Sequence, residues 1–105
     1  MAPPFGEKIR ELRKRKGLTL DQLATATGSS KSYIWELENK DPPRPSAEKI
    51  TRIADALEVT VDYLLGNEVD LQSAEDKAFF RRYSQMPPAA RAKVRKVARL
   101  LDEED

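Results

Sequence analysis

Apolar residues recur at helical spacing along most of the chain, and short polar or glycine-containing stretches separate these segments. Phe5, Ile9 and Leu12 give the first segment an apolar face, and Gly17 is typical of the residue that follows a helix. No segment alternates apolar and polar residues as a half-buried strand does. The pattern therefore predicts an all-α fold whose first helix covers about residues 6–16.

Capping residues indicate where the next two helices begin. Thr19 opens a capping-box pattern, which predicts a second helix that ends near Ala26. Gly28 lies in a turn of about four residues, and Ser30 is a favourable cap for a third helix, Lys31–Asn39. The sequence thus predicts two short helices joined by a tight turn.

Prolines and two further caps define the fourth and fifth helices. The three prolines of "DPPRP" keep the following loop extended. Ser46 then caps a helix over about 47–57, and Thr60 caps a short helix, "VDYLL", that ends at Gly66. We expect these five helices to form one domain, residues 1–67.

A second segment, residues 68–105, follows a stretch, "NEVDLQ", that reads as a linker. Ser73 with Asp76 gives another capping-box pattern and predicts a sixth helix, while Pro87 and Pro88 separate it from a seventh. Two apolar surfaces result, one of Phe79, Phe80, Tyr83 and Met86, the other of Ala90, Val94, Val97, Ala98 and Leu101. We expect helix six to cover part of the second surface, as in a helical hairpin.

The composition excludes several classes of site. Among 105 residues there is no cysteine or histidine, which removes thiolate and imidazole metal ligands and every catalytic triad that needs a histidine base. We therefore assign no catalytic residue, metal or cofactor. No apolar run approaches the length of a membrane span, so we expect no membrane association and a cytoplasmic protein.

Positive charge is concentrated near the N-terminus, although the net charge is only +1. Residues 8–16, "KIRELRKRK", contain six basic side chains and a single acidic one, Glu11. Such a surface suits nucleic acid, but it is also what an ordinary solvated helix face looks like. The charge pattern alone leaves both interpretations open.

Two helices joined by a short turn that contains glycine match the helix-turn-helix unit, whose second helix enters the DNA major groove. The sequence pieces "IRELR", "GLT", "QLA…TG", "SKSYIWELEN" and "PS…ITRIADALEVTVDYLL" occur here in order. Over about residues 6–66 the chain resembles the phage-repressor-like, or XRE, helix-turn-helix family. This resemblance implies a five-helix DNA-binding domain with Lys31–Asn39 as its recognition helix.

The resemblance also implies roles for individual residues. Base-reading positions fall on Lys31, Ser32 and Glu36, although a carboxylate is repelled by phosphates and Glu36 is equally explained as an exposed polar residue. The phosphate-contacting candidates are Thr19, Ser30, Tyr33 and Asn39, and Arg44 is a candidate for a contact with the DNA backbone or the minor groove. Arg13 and Glu38 fall on positions that form an ion pair between helices one and three. Many relatives carry a phosphate-contacting glutamine where this chain has Leu20, so that contact is missing.

Trp35 lies on the face of the third helix opposite Ile34 and Leu37. An outward tryptophan exposes apolar surface that an ordinary helix avoids. Its ring could contact a thymine methyl or a sugar in DNA. Alternatively, it folds back on Pro42 and Pro43 and stiffens the loop. The sequence favours neither.

These observations predict a sequence-specific, double-stranded-DNA-binding transcriptional regulator, most simply a dimeric repressor on a two-fold operator. The alternative is an antitoxin or adaptor that uses the same fold and binds a protein partner through its C-terminal helices. The dimerisation candidates are Phe79, Phe80, Tyr83, Val94, Val97 and Leu101. A competing possibility is that this segment packs back onto its own DNA-binding domain.

Overall fold

The computed structural model describes residues 4–40, 42–67 and 70–103, and these ranges contain helices and no strand. The helices are α1 Pro4–Arg15, α2 Leu20–Thr27, α3 Lys31–Asn39, α4 Ala47–Leu57, α5 Val61–Leu64, α6 Leu71–Ser84 and α7 Pro88–Glu103. The predicted all-α fold, five helices followed by two more, is therefore confirmed.

Hydroxyl side chains begin four of these helices, as predicted. Thr19, Ser30, Ser46 and Thr60 each accept a hydrogen bond at 3.0–3.2 Å from the backbone N–H three residues later. Each bond satisfies an N–H group that the helix itself leaves unpaired. The helix starts of the first domain are thus encoded locally.

The predicted start of the sixth helix is wrong. Asp70, not Ser73, caps α6: its carboxylate accepts from the Gln72 N–H at 3.2 Å, and Ser73 Oγ donates to that carboxylate at 2.7 Å. The hydrogen bond from Ser73 lowers the pKa of Asp70. A carboxylate caps as well as a hydroxyl does, so the earlier residue begins the helix. The predicted linker is correspondingly shorter, and its residues 68–69 lie outside the described ranges.

The core lies between α1, α2, α3 and α4. Its fully buried side chains come from every one of these helices and include Ile9, Leu23, Ile34, Leu37, Ile53 and Leu57. α1 packs on α3, and α2 packs on both α3 and α4. Ala74 of α6 is also fully buried in this core, and Leu71 packs against it. The first turns of α6 therefore contribute to the core of the five-helix domain.

α1 and α3 approach each other closely at Gly6. A Cβ atom placed on Gly6 would overlap the Leu37 carbonyl oxygen and would lie 3.0 Å from the Glu38 carbonyl oxygen. Both obstacles are backbone atoms, which cannot rotate away as a side chain can. Sequence reasoning did not identify Gly6, because nothing in its neighbourhood reports a contact 31 residues away.

α7 extends away from this core. None of its described side chains is buried, and Val97 and Leu101 are more than half exposed. The radius of gyration is 15.7 Å, compared with about 13 Å for a compact domain of 100 residues. One contact between α6 and α7 is a hydrogen bond at 2.7 Å that Arg95, in the middle of α7, donates to the Tyr83 hydroxyl. The predicted hairpin therefore leaves most of the apolar surface of α7 open.

We expect Gly6→Ala to lower the free energy of unfolding by about 1–3 kcal/mol, since the added methyl group must displace the backbone of α3. Alanine has the higher helix propensity, which offsets only about 0.5–1 kcal/mol. Urea unfolding followed by circular dichroism measures the change. Glu11→Ala, at an exposed position of α1, is the matched control and should change stability little. A Gly6→Ala protein as stable as the wild type would contradict the close approach.

Candidate nucleic-acid interface

α3 presents one face to the core and the other to solvent. Ile34 and Leu37 are buried, whereas Lys31, Ser32 and Glu36 are exposed. The three residues at which the resemblance places base contacts therefore lie together on the accessible face. Their chemistry suits base edges, because lysine and serine donate and glutamate accepts.

A buried ion pair fixes α3 against α1. Arg13 Nε donates to Glu38 Oε2 at 2.6 Å, and Arg13 Nη2 donates to Glu38 Oε1 at 2.9 Å. The Glu38 side chain is only 1% exposed, and the Arg13 side chain is 12% exposed. This two-bond geometry restricts both side chains, and the hydrogen bond to Glu38 raises the pKa of Arg13. The pair sets the rotation of α3 about its own axis.

Arg10 reinforces the same junction from α1. Its Nε lies 3.6 Å from Glu38 Oε1, and its guanidinium donates to the Asn39 side-chain carbonyl. Asn39 Nδ2 in turn donates to the Trp35 carbonyl at 2.9 Å. Asn39, a candidate phosphate contact, therefore uses both ends of its amide within the protein. Sequence reasoning did not single out Arg10, which resembles any other basic residue of the first helix.

Trp35 points outward, with 45% of its surface exposed. The Lys40 ammonium lies 5.9 Å from the centre of its ring, a cation–π distance. A cation beside the ring adds positive charge at the C-terminal end of the exposed face. Contact with DNA and contact with Pro42 and Pro43 both stay predictions.

Lys49 of α4 holds the turn between α2 and α3. Its ammonium donates to the Thr27 carbonyl at 3.2 Å, the Gly28 carbonyl at 3.3 Å and Ser29 Oγ at 2.8 Å. These bonds satisfy carbonyl groups at the end of α2, where a positive charge also complements the helix dipole. No sequence signal marks Lys49, because in α4 it reads as an ordinary polar residue.

The N-termini of α2 and α3 are already organised by their caps. Thr19 and Gln22 complete the capping box, since Gln22 Oε1 accepts from the Thr19 N–H at 2.8 Å. Ser30 Oγ accepts from the Tyr33 N–H at 3.1 Å. Leu20 packs against the core. The remaining first-turn N–H groups of α2 and α3 are the donors available to a phosphate.

Tyr33 and Arg44 lie at the edges of this surface. Tyr33 is half-buried, burial raises the pKa of its hydroxyl, and the Lys49 ammonium lies 5.9 Å from its ring centre. Its phenol therefore stays protonated and able to donate. The exposed Arg44 places its guanidinium 5.4 Å from the centre of the Phe5 ring, so it lies beside the beginning of α1.

The basic cluster of residues 8–16 is largely used inside the protein. Lys8 donates to the Tyr63 carbonyl, Arg10 to the Glu38 carbonyl, Arg13 to the Glu38 carboxylate and Lys16 to the Glu58 carboxylate. Lys14 and Arg15 remain exposed. Four of the six positive side chains thus stabilise the fold, and the cluster is a weaker nucleic-acid signal than its sequence suggests.

Two other kinds of site are absent from the described part of the chain. No three carboxylates there cluster as a metal site requires. None of the helices in residues 4–40, 42–67 and 70–103 combines the length and apolar character needed to cross a bilayer.

Comparison with known proteins agrees with this geometry. A family model described as a helix-turn-helix domain matches residues 4–64. The transcriptional regulator SinR of Bacillus licheniformis is 37% identical over 66 residues, which cover 63% of this chain and 59% of SinR. The uncharacterised regulator YobD of Bacillus subtilis is 32% identical over 85 residues, which cover 79% of this chain and 73% of YobD.

A solved structure of a DNA-binding protein is also similar to this chain. The crystal structure of SinR, the master regulator for biofilm formation, in complex with DNA is 34% identical and has a TM-score of 0.55. The similarity covers 58% of this chain and 97% of that one. The chain spans only about half to three-fifths of the length of the first curated relatives that it matches.

We expect Arg13→Met to lower the free energy of unfolding by about 3–5 kcal/mol, because it leaves the Glu38 carboxylate buried without its main partner. Urea unfolding measures the loss. Arg52→Met is the matched control: it breaks the exposed pair with Glu48, at 2.7 Å, and should cost at most about 1 kcal/mol.

The double variant Arg13→Met/Glu38→Leu removes both charges and should recover much of that loss. If the double variant is no more stable than Arg13→Met, the cost does not come from an uncompensated buried carboxylate.

Proposed function

The chain belongs to the phage-repressor-like (XRE) helix-turn-helix family. We propose that it binds double-stranded DNA of a specific sequence and thereby regulates transcription. The observation that carries this proposal is the exposed face of α3, held in place by the buried pair of Arg13 and Glu38. In this proposal α3 enters the major groove and reads base edges. The function is binding, not catalysis.

Lys31, Ser32 and Glu36 are the proposed base contacts. Lysine can donate to guanine O6 and N7, serine can bond several bases, and glutamate can accept from cytosine N4. All three lie on the accessible face of one rigid helix. Trp35 lies beside them and supplies an apolar ring that fits a thymine methyl group.

A second group of residues is proposed to position the protein on the phosphates. Thr19 and Ser30 begin α2 and α3, where free N–H groups and the helix dipole favour an anion. Tyr33 retains its phenolic proton, and Arg44 lies at the edge of the same surface. Asn39 bonds Arg10 and the Trp35 carbonyl, and the second N–H of its side-chain amide is the donor that it would offer to a phosphate. Contacts of this kind fix register and orientation without reading sequence.

We further propose that the protein acts as a dimeric repressor on a two-fold operator, in the cytoplasm. Two copies related by a two-fold axis would place two recognition helices in successive major grooves, about 34 Å apart. The proposed dimerisation side chains are Phe79, Phe80, Tyr83, Val94, Val97 and Leu101. Phe79, Phe80, Val97 and Leu101 are each more than half exposed, which is unusual for large apolar side chains.

Preferential binding to an operator, measured over a range of salt concentrations, separates this proposal from the alternative of a protein-interaction adaptor. Each phosphate contact releases counterions, so the affinity for an operator should fall steeply as salt rises. An adaptor that binds duplex DNA only incidentally would show no operator preference at any salt concentration. A protein co-regulator that binds the C-terminal helices is compatible with either result.

We expect Lys31→Ala and Ser32→Ala each to reduce operator affinity by about 1–3 kcal/mol and to relax base preference at one position. Arg44→Ala should instead weaken binding to operator and unrelated duplex alike, because phosphate contacts carry no sequence information. The operator is first selected from random duplexes, and fluorescence anisotropy then measures affinity for it and for its single-base variants. Equal losses on operator and unrelated duplex for all three variants would refute the assignment.

A chain that ends at Met86 keeps α6, including the buried Ala74, and lacks only α7. We expect it to unfold cooperatively near the wild-type temperature but to be monomeric, with operator affinity reduced about 100-fold or more through loss of bivalent binding. Analytical ultracentrifugation and anisotropy measure the two effects. A truncated chain that is still a dimer, or that binds the operator as tightly as the full chain, would show that α7 does not mediate dimerisation.

A further inference from the structure

The turn between α2 and α3 consists of residues 28–30 only, and it sets the direction in which α3 leaves α2. Two peptide groups open this turn, and each is held at its N–H end by a carbonyl group of α2. The Gly28 N–H donates to the Thr25 carbonyl at 3.3 Å, and the Ser29 N–H donates to the Ala24 carbonyl at 2.8 Å. The carbonyl ends of the same two peptide groups lie beyond the hydrogen-bond ladder of α2, because the helix ends there.

Lys49 of α4 holds those two carbonyl ends. Its ammonium donates to the Thr27 carbonyl at 3.2 Å and to the Gly28 carbonyl at 3.3 Å, and it also donates to Ser29 Oγ at 2.8 Å. Neither peptide group can then rotate without breaking a hydrogen bond at each of its ends. The ammonium also lies 5.9 Å from the ring centre of Tyr33, in the first turn of α3. Lys49 therefore connects α4 to the end of α2, to the turn and to α3.

α3 is consequently held at both ends. The buried ion pair at Glu38 fixes its C-terminal part, and Lys49 fixes the turn from which it begins. Lys31 and Ser32, the proposed base contacts nearest to this turn, are its first two residues. Lys31 lies about 10 Å along the helix from Glu38, so a tilt of about 10° around Glu38 would move it by about 2 Å. Recognition contacts tolerate a displacement of only about 0.5 Å.

We propose that Lys49 is a positioning residue for base reading: it holds the turn so that Lys31 and Ser32 meet the base edges, without contacting DNA itself. An ammonium has three N–H donors, and Lys49 uses all three inside the protein. Its side chain is half-buried, which also separates it from the exposed reading face. This inference rests on the proposed DNA-binding function and adds a residue of α4 to it.

Two other roles for Lys49 give different measurable results. A lysine that only stabilised the fold would leave the DNA affinity of the folded protein unchanged when it is replaced. A lysine that bound a phosphate would weaken binding to every duplex by the same factor, because phosphate contacts carry no sequence information. A positioning residue should instead weaken binding to the operator more than binding to an unrelated duplex.

Lys49→Met tests this expectation in the full chain, since methionine keeps an unbranched apolar stem and lacks the ammonium. Operator affinity should fall at least about tenfold, which corresponds to the misalignment of one or two base contacts. Fluorescence anisotropy measures affinity for the selected operator and for an unrelated duplex, at a temperature at which circular dichroism shows the variant to be folded.

Arg52→Met is the matched control. The Arg52 guanidinium belongs to the same helix and lies 3.2 Å from the place that a Cβ atom on Gly28 would take, but it donates to Glu48 Oε1 at 2.7 Å. Both variants therefore lose one positive charge beside the same turn, and they should weaken binding to the unrelated duplex to a similar, small extent. Only Lys49→Met should lose operator preference.

Either of two results with Lys49→Met would overturn the proposal. Operator affinity equal to that of Arg52→Met would show that the hydrogen bonds to the turn do not affect base reading. Equal losses on operator and unrelated duplex, with a salt dependence reduced by about one counterion, would show that Lys49 binds a phosphate directly.

Ser29→Ala gives a second measurement that keeps the charge of Lys49 and that applies even if Lys49→Met does not fold. It removes the acceptor of the shortest of the three bonds. We expect operator affinity to fall by about threefold, the effect of one hydrogen bond, with little change on the unrelated duplex. Unchanged operator preference in Ser29→Ala would contradict the proposal. In a folded Lys49→Met background the same substitution should cost nothing further, because the two side chains act through one contact.

The base contacts themselves give the final comparison. In a chain that carries Lys31→Ala and Ser32→Ala, Lys49→Met should lower operator affinity little further, because the contacts that it positions are already lost. A full additional loss would overturn the proposal. A wild-type chain that selects no operator would refute the DNA-binding function and this inference together, whereas a selected operator that is bound equally well by Lys49→Met would refute only the inference.

Discussion

The orientation of the recognition helix depends on one buried ion pair, between Arg13 of α1 and Glu38 of α3. An uncompensated carboxylate in this position would be strongly destabilising, so the two helices cannot rotate apart without a large loss of stability. Gly6 lets the backbones approach at the same junction, and Arg10 adds a second guanidinium and the contact to Asn39. The exposed face of α3 is therefore held by interactions on its opposite side, which is what a rigid reading surface requires.

Most of the charge in the N-terminal domain stabilises structure rather than attracting DNA. The basic residues of α1 bond carbonyl groups and carboxylates elsewhere in the fold, and Lys49 bonds the turn between α2 and α3. With a net charge of +1, the protein has little long-range attraction for a polyanion. Affinity in the proposed function must come from the local donors at α2 and α3. This arrangement favours selectivity over tight non-specific binding.

The two ends of the molecule separate two tasks. The core of the first five helices and the first turns of α6 fix the reading surface, whereas α7 leaves its apolar stripe open. Such a division would let dimerisation change operator affinity without altering how each α3 contacts its half-site.

The sequence by itself determined the helices, because caps and apolar periodicity act within a few residues: Thr19, Ser30, Ser46 and Thr60 begin helices where predicted. It also predicted the helix-turn-helix unit and the exposed face of α3. The exception was Ser73, where a competing cap, Asp70, lay only three residues earlier. Resemblance, not local pattern, singled out Arg13 and Glu38. Only the tertiary structure revealed Gly6, Lys49 and the internal use of the basic cluster, because each depends on atoms distant in sequence that come together when the helices pack.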